Sequence, residues 1–174
     1  NAGYGGDVDV ILPGVDLAEY ADGGWTGDGG YVLTVVNGLR RPLFDYQAWL
    51  RATEGLPVRL VGSHNDGIPG AVGPAAAWDA LKEEYRRCAV YLNPTTPPYE
   101  DGYNLAALEA AASGAPTLSL WRNADAESLR PLLEKMMRVR APMDVLDLRS
   151  EVAERFPLEA FKANWRRVLS EVVG

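Results

Sequence analysis

The feature that most constrains this chain is an alternation. Short runs rich in β-branched and apolar residues recur at 8–12 (VDVIL), 31–36 (YVLTVV), 57–62 (PVRLVG), 89–94 (AVYLNP), 115–120 (APTLSL) and 143–148 (MDVLDL). Between most of them lie stretches with helical spacing: 43–55, 78–88, 103–114, 126–139 and 157–173. A run such as YVLTVV, with almost no polar alternation, is expected where a strand is covered on both faces. Strands that alternate with helices imply βαβ units. The expected fold is therefore α/β, a three-layer Rossmann-like domain with a mainly parallel sheet of about six strands.

The 174 residues suffice for one such domain, so 1–174 is expected to be a single unit. Local signals agree with the pattern. Gly55 and Gly114 stand where helices should stop, and Pro157 stands at a helix start. Pro131 predicts a kink or a break within 126–139. Trp78, Leu81, Tyr85 and Cys88 share one helical face, as do Phe161, Trp165, Leu169 and Val172. Trp49, Trp78 and Trp165 are accordingly expected in the core.

Composition excludes some functions. The 17 basic and 24 acidic residues give a net charge of -7, with no basic stripe for nucleic acid. A small anionic ligand remains compatible, because a few Arg side chains and helix N-termini can hold phosphate on an acidic protein. The single cysteine, Cys88, allows no internal disulfide. That fits a cytoplasmic chain. No apolar run reaches the length of a membrane span. No Cys/His cluster suggests a metal, and the acids at Asp7, Asp9, Asp144 and Asp147 sit in strand-like runs. His64, the only histidine, reads as a loop residue in GSHNDG. The glycines of GDGG (27–30) precede a strand rather than join strand to helix, so they are no phosphate loop.

In sheets of this kind ligands bind beyond the C-terminal ends of the strands. The most informative stretch there is YLNPTTPPYEDGYNLAALEAAASGAPTLSL (91–120). A buried strand enters a loop with Thr95 and Thr96, then Glu100, Asp101 and Gly102, then a helix opening on Tyr103 and Asn104. Gly102 permits close backbone approach to a ligand. The outward N–H groups of Tyr103, Asn104 and Leu105 suit a phosphate. Glu109 lies roughly 7–9 Å further along the helix, where ribose hydroxyls attached to that phosphate would fall.

This stretch resembles the donor site of the large family of retaining GT-B glycosyltransferases, whose motif is EGFGxxxLEAMAxGxPV. Asp101 and Glu109 reproduce its two acids eight residues apart, and LEAAASGAPTLSL follows its helix, glycine and strand. VILPGVDLAEY is similar to that family's interdomain linker, YVLTVVNGLRR to its first strand and basic loop, and ERFPLEAFKANWRRVLSEV to its closing helix. The resemblance implies the donor-binding C-terminal half of such an enzyme, with 1–14 as linker and first strand and the N-terminal acceptor domain absent. It implies that Arg40 and Arg41 stabilise the leaving phosphate and that Asp101 faces donor-sugar hydroxyls, these three forming the catalytic set. It makes Gly102, Tyr103, Asn104 and Leu105 hold the diphosphate through their amides, Glu109 bond the ribose, and Thr95 or Thr96 touch phosphate or sugar. The implied partners are a nucleotide sugar and the chain's own N-terminal domain, with any membrane association through that missing half. No cofactor and no metal is expected, and this half alone is expected to be inactive.

The chain also departs from the motif. Its first acid is Asp101 instead of Glu, Asn104 replaces a glycine, and the basic loop NGLRRPLF is compressed, without the family's distant Lys-Gly. These departures favour an alternative: a catalytically degenerate nucleotide-binding or regulatory domain of the same fold. A plain interaction module would bind no nucleotide at all. A GT-B phosphorylase would need a cofactor-holding lysine, and Lys82, Lys135 and Lys162 all lie on solvent-like helical faces. Trp121, after the strand TLSL, falls at the same edge as the candidate site.

Overall fold

The computed structural model describes residues 11–20, 24–96, 104–120, 126–139 and 145–173. A 3-10 turn, Leu17–Tyr20, comes first. Then follow β1 (Val32–Val35), α1 (Tyr46–Thr53), β2 (Val58–Val61), β3 (Ala71–Gly73), α2 (Trp78–Arg87) and β4 (Val90–Asn93). After these come α3 (Leu105–Ala112), β5 (Thr117–Ser119), α4 (Ala126–Val139), α5 (Val145–Arg155) and α6 (Leu158–Val173). The sheet is parallel throughout, in the order β3-β2-β1-β4-β5. The expected Rossmann-like α/β fold is what the chain adopts, with five strands among the described residues.

The chain leaves the central strand in one direction through α1 and β2, and later leaves β4 in the other through α3 and β5. Right-handed crossovers then place α1 and α3 on opposite faces. The core shows this. Val32, Leu60, Val90 and Leu92 pack with Trp49 and Ala52 of α1 and with Leu129 and Leu133 of α4. Leu33, Val61 and Tyr91 point the other way, onto Tyr85 and Cys88 at the end of α2 and Ala110 of α3. Successive residues of β1 thus serve opposite layers, which is why YVLTVV lacks polar alternation. A third cluster joins Tyr20, Ala111, Ala112 and Val152 of α5 outside α3.

Local signals explain the element ends. Asp45 caps α1, its side chain accepting from the Ala48 amide at 2.8 Å. Gly114, at φ +84, ends α3: its amide bonds the Ala111 carbonyl and the Ala115 amide bonds the Ala110 carbonyl, both at 2.9 Å. That double bond pattern is the Schellman ending. Pro131 lies inside α4 without dividing it in two.

Three expectations are corrected. The run 143–148 is not a strand: from Val145 the chain is helical, as α5. Over the longer window Val145, Leu148 and Val152 fall at helical spacing, and Val152 is buried. Residues 63–74, dense in turn formers and outside every expected strand, contain a short strand, β3, against the sheet edge. Of the run 8–12, Ile11 and Leu12 are not in a strand, and residues 8–10 lie outside the described residues.

The tryptophans also separate. Trp49 is fully buried, whereas Trp78 is 40% exposed and Trp165 43%. Both exposed rings lie on helical stripes that run past the sheet. Phe161 packs where a Cβ on Gly14 would stand, 2.7 Å away, but Leu169, two turns further along α6, is 54% exposed. The side chain of Val172 lies outside the described residues. In urea denaturation, Trp49→Ala is expected to cost about 3–5 kcal/mol. Trp165→Ala is expected to cost no more than about 1 kcal/mol, for the loss of an edge contact with Phe161.

Candidate functional site

The order of strands reverses between β1 and β4, which makes the C-terminal end of that pair the switch point where α/β folds bind ligands. Backbone pairing between the two strands runs through Val32↔Val90 and Leu33↔Tyr91. One step on, the buried Thr34 hydroxyl donates to the Leu92 carbonyl at 2.9 Å. Above this point the loops leaving β1 and β4 are sewn together. The Asp45 amide donates to the Pro94 carbonyl at 3.0 Å, the Thr96 amide donates to the Leu43 carbonyl at 3.1 Å, and Phe44 pairs antiparallel with Thr95.

Asn93, at the end of β4, organises the β4 side. Its Oδ1 accepts from the Thr95 amide (3.2 Å), the Thr95 hydroxyl (2.8 Å) and Nδ2 of Asn104 (3.4 Å). Asn104 in turn is the N-cap of α3, its Oδ1 accepting from the Ala107 amide at 3.0 Å. The capping bond leaves the Leu105 amide in the first turn, where helix N–H groups point outward. Leu105 itself is exposed. Thr95 is buried with its hydroxyl committed to Asn93, and Thr96 is half-buried beside it. Asp101, Gly102 and Tyr103 lie outside the described residues, as does Trp121.

Glu109 sits one turn into α3 and faces α2. Its Oε2 accepts from the Tyr85 hydroxyl at 2.8 Å. Burial raises its pKa above the ordinary carboxylate value, and the Tyr85 bond opposes that rise without cancelling it. Two phenols feel the same carboxylate. Tyr20 is pushed far up, first by burial and then by Glu109; Tyr85 is pushed further, by burial, by Tyr91 and by Glu109. Tyr20 also touches Trp78, ring centroids 6.0 Å apart and nearly perpendicular, and the Trp78 indole N–H donates to Glu19 at 3.1 Å.

The two arginines differ in setting. Arg40 donates to the Asp66 carbonyl at 3.0 Å and lies over the Tyr46 ring at 5.4 Å. Arg41 lies with its aliphatic stem against Gly38. The structure thus gathers Arg40, Arg41, Thr95, Thr96, Asn104 and Leu105 at the end of β1 and β4, with Glu109 one turn deeper on the α2 side. Among the described residues no group of three or more His, Cys, Asp or Glu could hold a metal, and no helix is long and apolar enough to cross a membrane.

Sequence reasoning missed Asn65 and Asn93, and it placed the exposed Trp78 in the core. Asn65 is 2% exposed yet sits in a Gly/Asn/Asp-rich segment that reads as solvated turn. No local pattern distinguishes a buried loop amide from an exposed one. Trp78 belongs to an amphipathic stripe whose first turn extends beyond the packed layer.

No protein-family model matches this chain, and no curated protein matches it. At this crevice the loop that carries Arg40 and Arg41 is bonded to the loop leaving β4, whose Asn93 meets the Asn104 cap of α3. Such a crevice can bind an anion and stabilise one that forms in a reaction.

The carboxyl of Glu109 gives a pH test. Because its folded-state pKa is raised, the folded chain holds the proton more tightly than the unfolded chain, and stability falls as pH rises through that window. Glu109→Gln keeps an acceptor for Tyr85 and removes the titration. Its stability relative to wild type, from urea unfolding at successive pH values, is expected to increase as pH passes the ordinary carboxylate range and then level off. A gap that narrows with rising pH would contradict the assignment.

Proposed function

We propose that this chain is the nucleotide-sugar-binding half of a retaining glycosyltransferase that moves a sugar to an acceptor hydroxyl. One observation carries the reading: the Asn104-capped N-terminus of α3 stands at the β1/β4 switch point together with the Arg40–Arg41 loop. The spacing of Asp101 and Glu109 along the same segment supports it.

The chemistry follows from that placement. As the glycosidic bond breaks, negative charge develops on the departing diphosphate. Guanidinium groups and helix amides fixed in advance stabilise that charge without reorganising. Glu109 accepts from the ribose hydroxyls. Those donors favour the ionised carboxylate, so nucleotide binding offsets the burial that raises its pKa, and affinity rises with pH through the Glu109 titration. Asp101 meets hydroxyls of the donor sugar. Acceptor positioning falls to an N-terminal domain, and closure between the halves excludes water.

A degenerate nucleotide-binding or regulatory domain is the second reading. It is favoured by Glu109, half-buried and already bonded to Tyr85, and by Asn104, whose side chain fills the place of the family's glycine. It retains nucleotide binding and loses donor turnover.

Calorimetric titration with UDP, GDP and ADP tests the proposal. One nucleotide is expected to bind selectively, and Glu109→Ala to weaken it about tenfold or more, the value of a charge-assisted hydrogen bond. Failure of all three to bind would remove both nucleotide readings and leave an interaction module.

A further inference from the structure

A fully buried hydroxyl meets the carboxyl of Glu109. Tyr85 stands in the last turn of α2 with no exposed surface, packed among Leu33, Val61, Tyr91 and Ala110. Its ring is in edge contact with that of Tyr91, centroids 6.1 Å apart, and the Cys88 thiol donates to its carbonyl at 3.3 Å. A ring wedged this way has one place for its hydroxyl. That hydroxyl donates to Oε2 of Glu109 at 2.8 Å. Ala110, the neighbour of Glu109 along α3, is buried in the same cluster, so both ends of the bond are anchored in the core.

The bond divides the two carboxyl oxygens. Oε2 is turned toward an enclosed group, so the exposure that half-buried Glu109 keeps falls to the side of Oε1. Among the described residues nothing donates to Oε1. The other groups around the carboxyl are occupied elsewhere. Tyr20 of the 3-10 turn feels Glu109 without bonding it, and also feels Glu19 and Asp16. Glu19 accepts from the Trp78 indole, and Arg149 of α5 donates to the carbonyls of Leu17 and Tyr20. Tyr91 stands beyond Tyr85.

We infer that Tyr85 is a positioning residue for nucleotide recognition: by holding Oε2 inward it leaves Glu109 a single outward acceptor, which reads one hydroxyl of the ribose and not the pair. This rests on the ribose role proposed for Glu109 and deepens it. A carboxylate with both oxygens outward accepts from two adjacent hydroxyls at once, one on each oxygen. With one oxygen outward, one hydroxyl has a charged acceptor and the other gains nothing from Glu109. The ligand class is therefore a nucleotide with one required ribose hydroxyl. Tyr85 also favours the ionised carboxylate, against the burial that opposes it.

Wild type, Tyr85→Phe and Tyr20→Phe are titrated with UDP, GDP and ADP and with the 2′-deoxy and 3′-deoxy form of each, with thermal midpoints as folding control. In parallel, NMR follows the Glu109 carboxyl through pH without ligand, Glu109→Gln identifying its signal. In wild type one deoxy form is expected to bind about tenfold more weakly than its parent, and the other within about threefold of it. In Tyr85→Phe the two losses are expected to converge to within about twofold of each other. The carboxyl midpoint is expected to move up in that variant, because a donor to the ionised form is gone. Tyr20→Phe keeps the wild-type asymmetry. Equal losses for both deoxy forms in wild type, or an asymmetry that Tyr85→Phe leaves unchanged, overturn the single-acceptor reading and leave nucleotide binding standing. An unmoved carboxyl midpoint in Tyr85→Phe overturns the hold on Glu109 by itself. A midpoint that moves, with no nucleotide bound by any variant or by wild type, supports the hold and contradicts the donor reading.

Discussion

The structure depends on one buried hydroxyl. Thr34, in the central strand, accepts from the Trp49 indole N–H at 3.0 Å and donates to the Leu92 carbonyl at 2.9 Å. One side chain thereby ties β1 to α1 and to β4. Its burial makes the arrangement obligatory, because an indole N–H or a carbonyl left without a partner in the core costs about 1–3 kcal/mol. The bond also sits just where main-chain pairing of β1 with β4 ends. The same residue thus joins the core to the floor of the crevice.

Above that point, polar side chains take over the work of the ladder. Asn65 joins the β1 and β2 loops, and Asn93 joins the end of β4 to the cap of α3. Both amides are buried or nearly so. Buried amides whose partners are backbone groups specify geometry in a way apolar packing does not, because each bond has a direction. The crevice rim is thus held rigid from below.

Much of the fold was legible because it is written in periods. YVLTVV and AVYLNP are continuous apolar runs and became the two central strands. Gly114 became the αL residue that ends α3. What failed was short or ambiguous. Ala71–Gly73 is too brief to show a period. MDVLDL fits both periods over six residues, and only the continuation to Arg155 decides for a helix. For the site, the sequence identified Asn104 as opening a helix and Arg40 and Arg41 as edge residues, but not that Arg40 bonds Asp66 and stacks on Tyr46. Such long-range partners lie beyond any local pattern. The same holds for Glu109, whose spacing was visible but whose bond to Tyr85, 24 residues away, was not.

The central claim is that the C-terminal edge at the β1/β4 switch point is where this chain meets an anionic ligand. Amide chemical-shift mapping in solution, on uniformly labelled protein titrated with UDP, GDP and ADP in turn, tests it most directly. The account predicts saturable shifts confined to residues 36–41, 62–65, 93–96 and 104–109, with the amide of Leu105 among the largest. Saturable shifts gathered at the opposite edge of the sheet, or along the exposed stripe of α6, would contradict it.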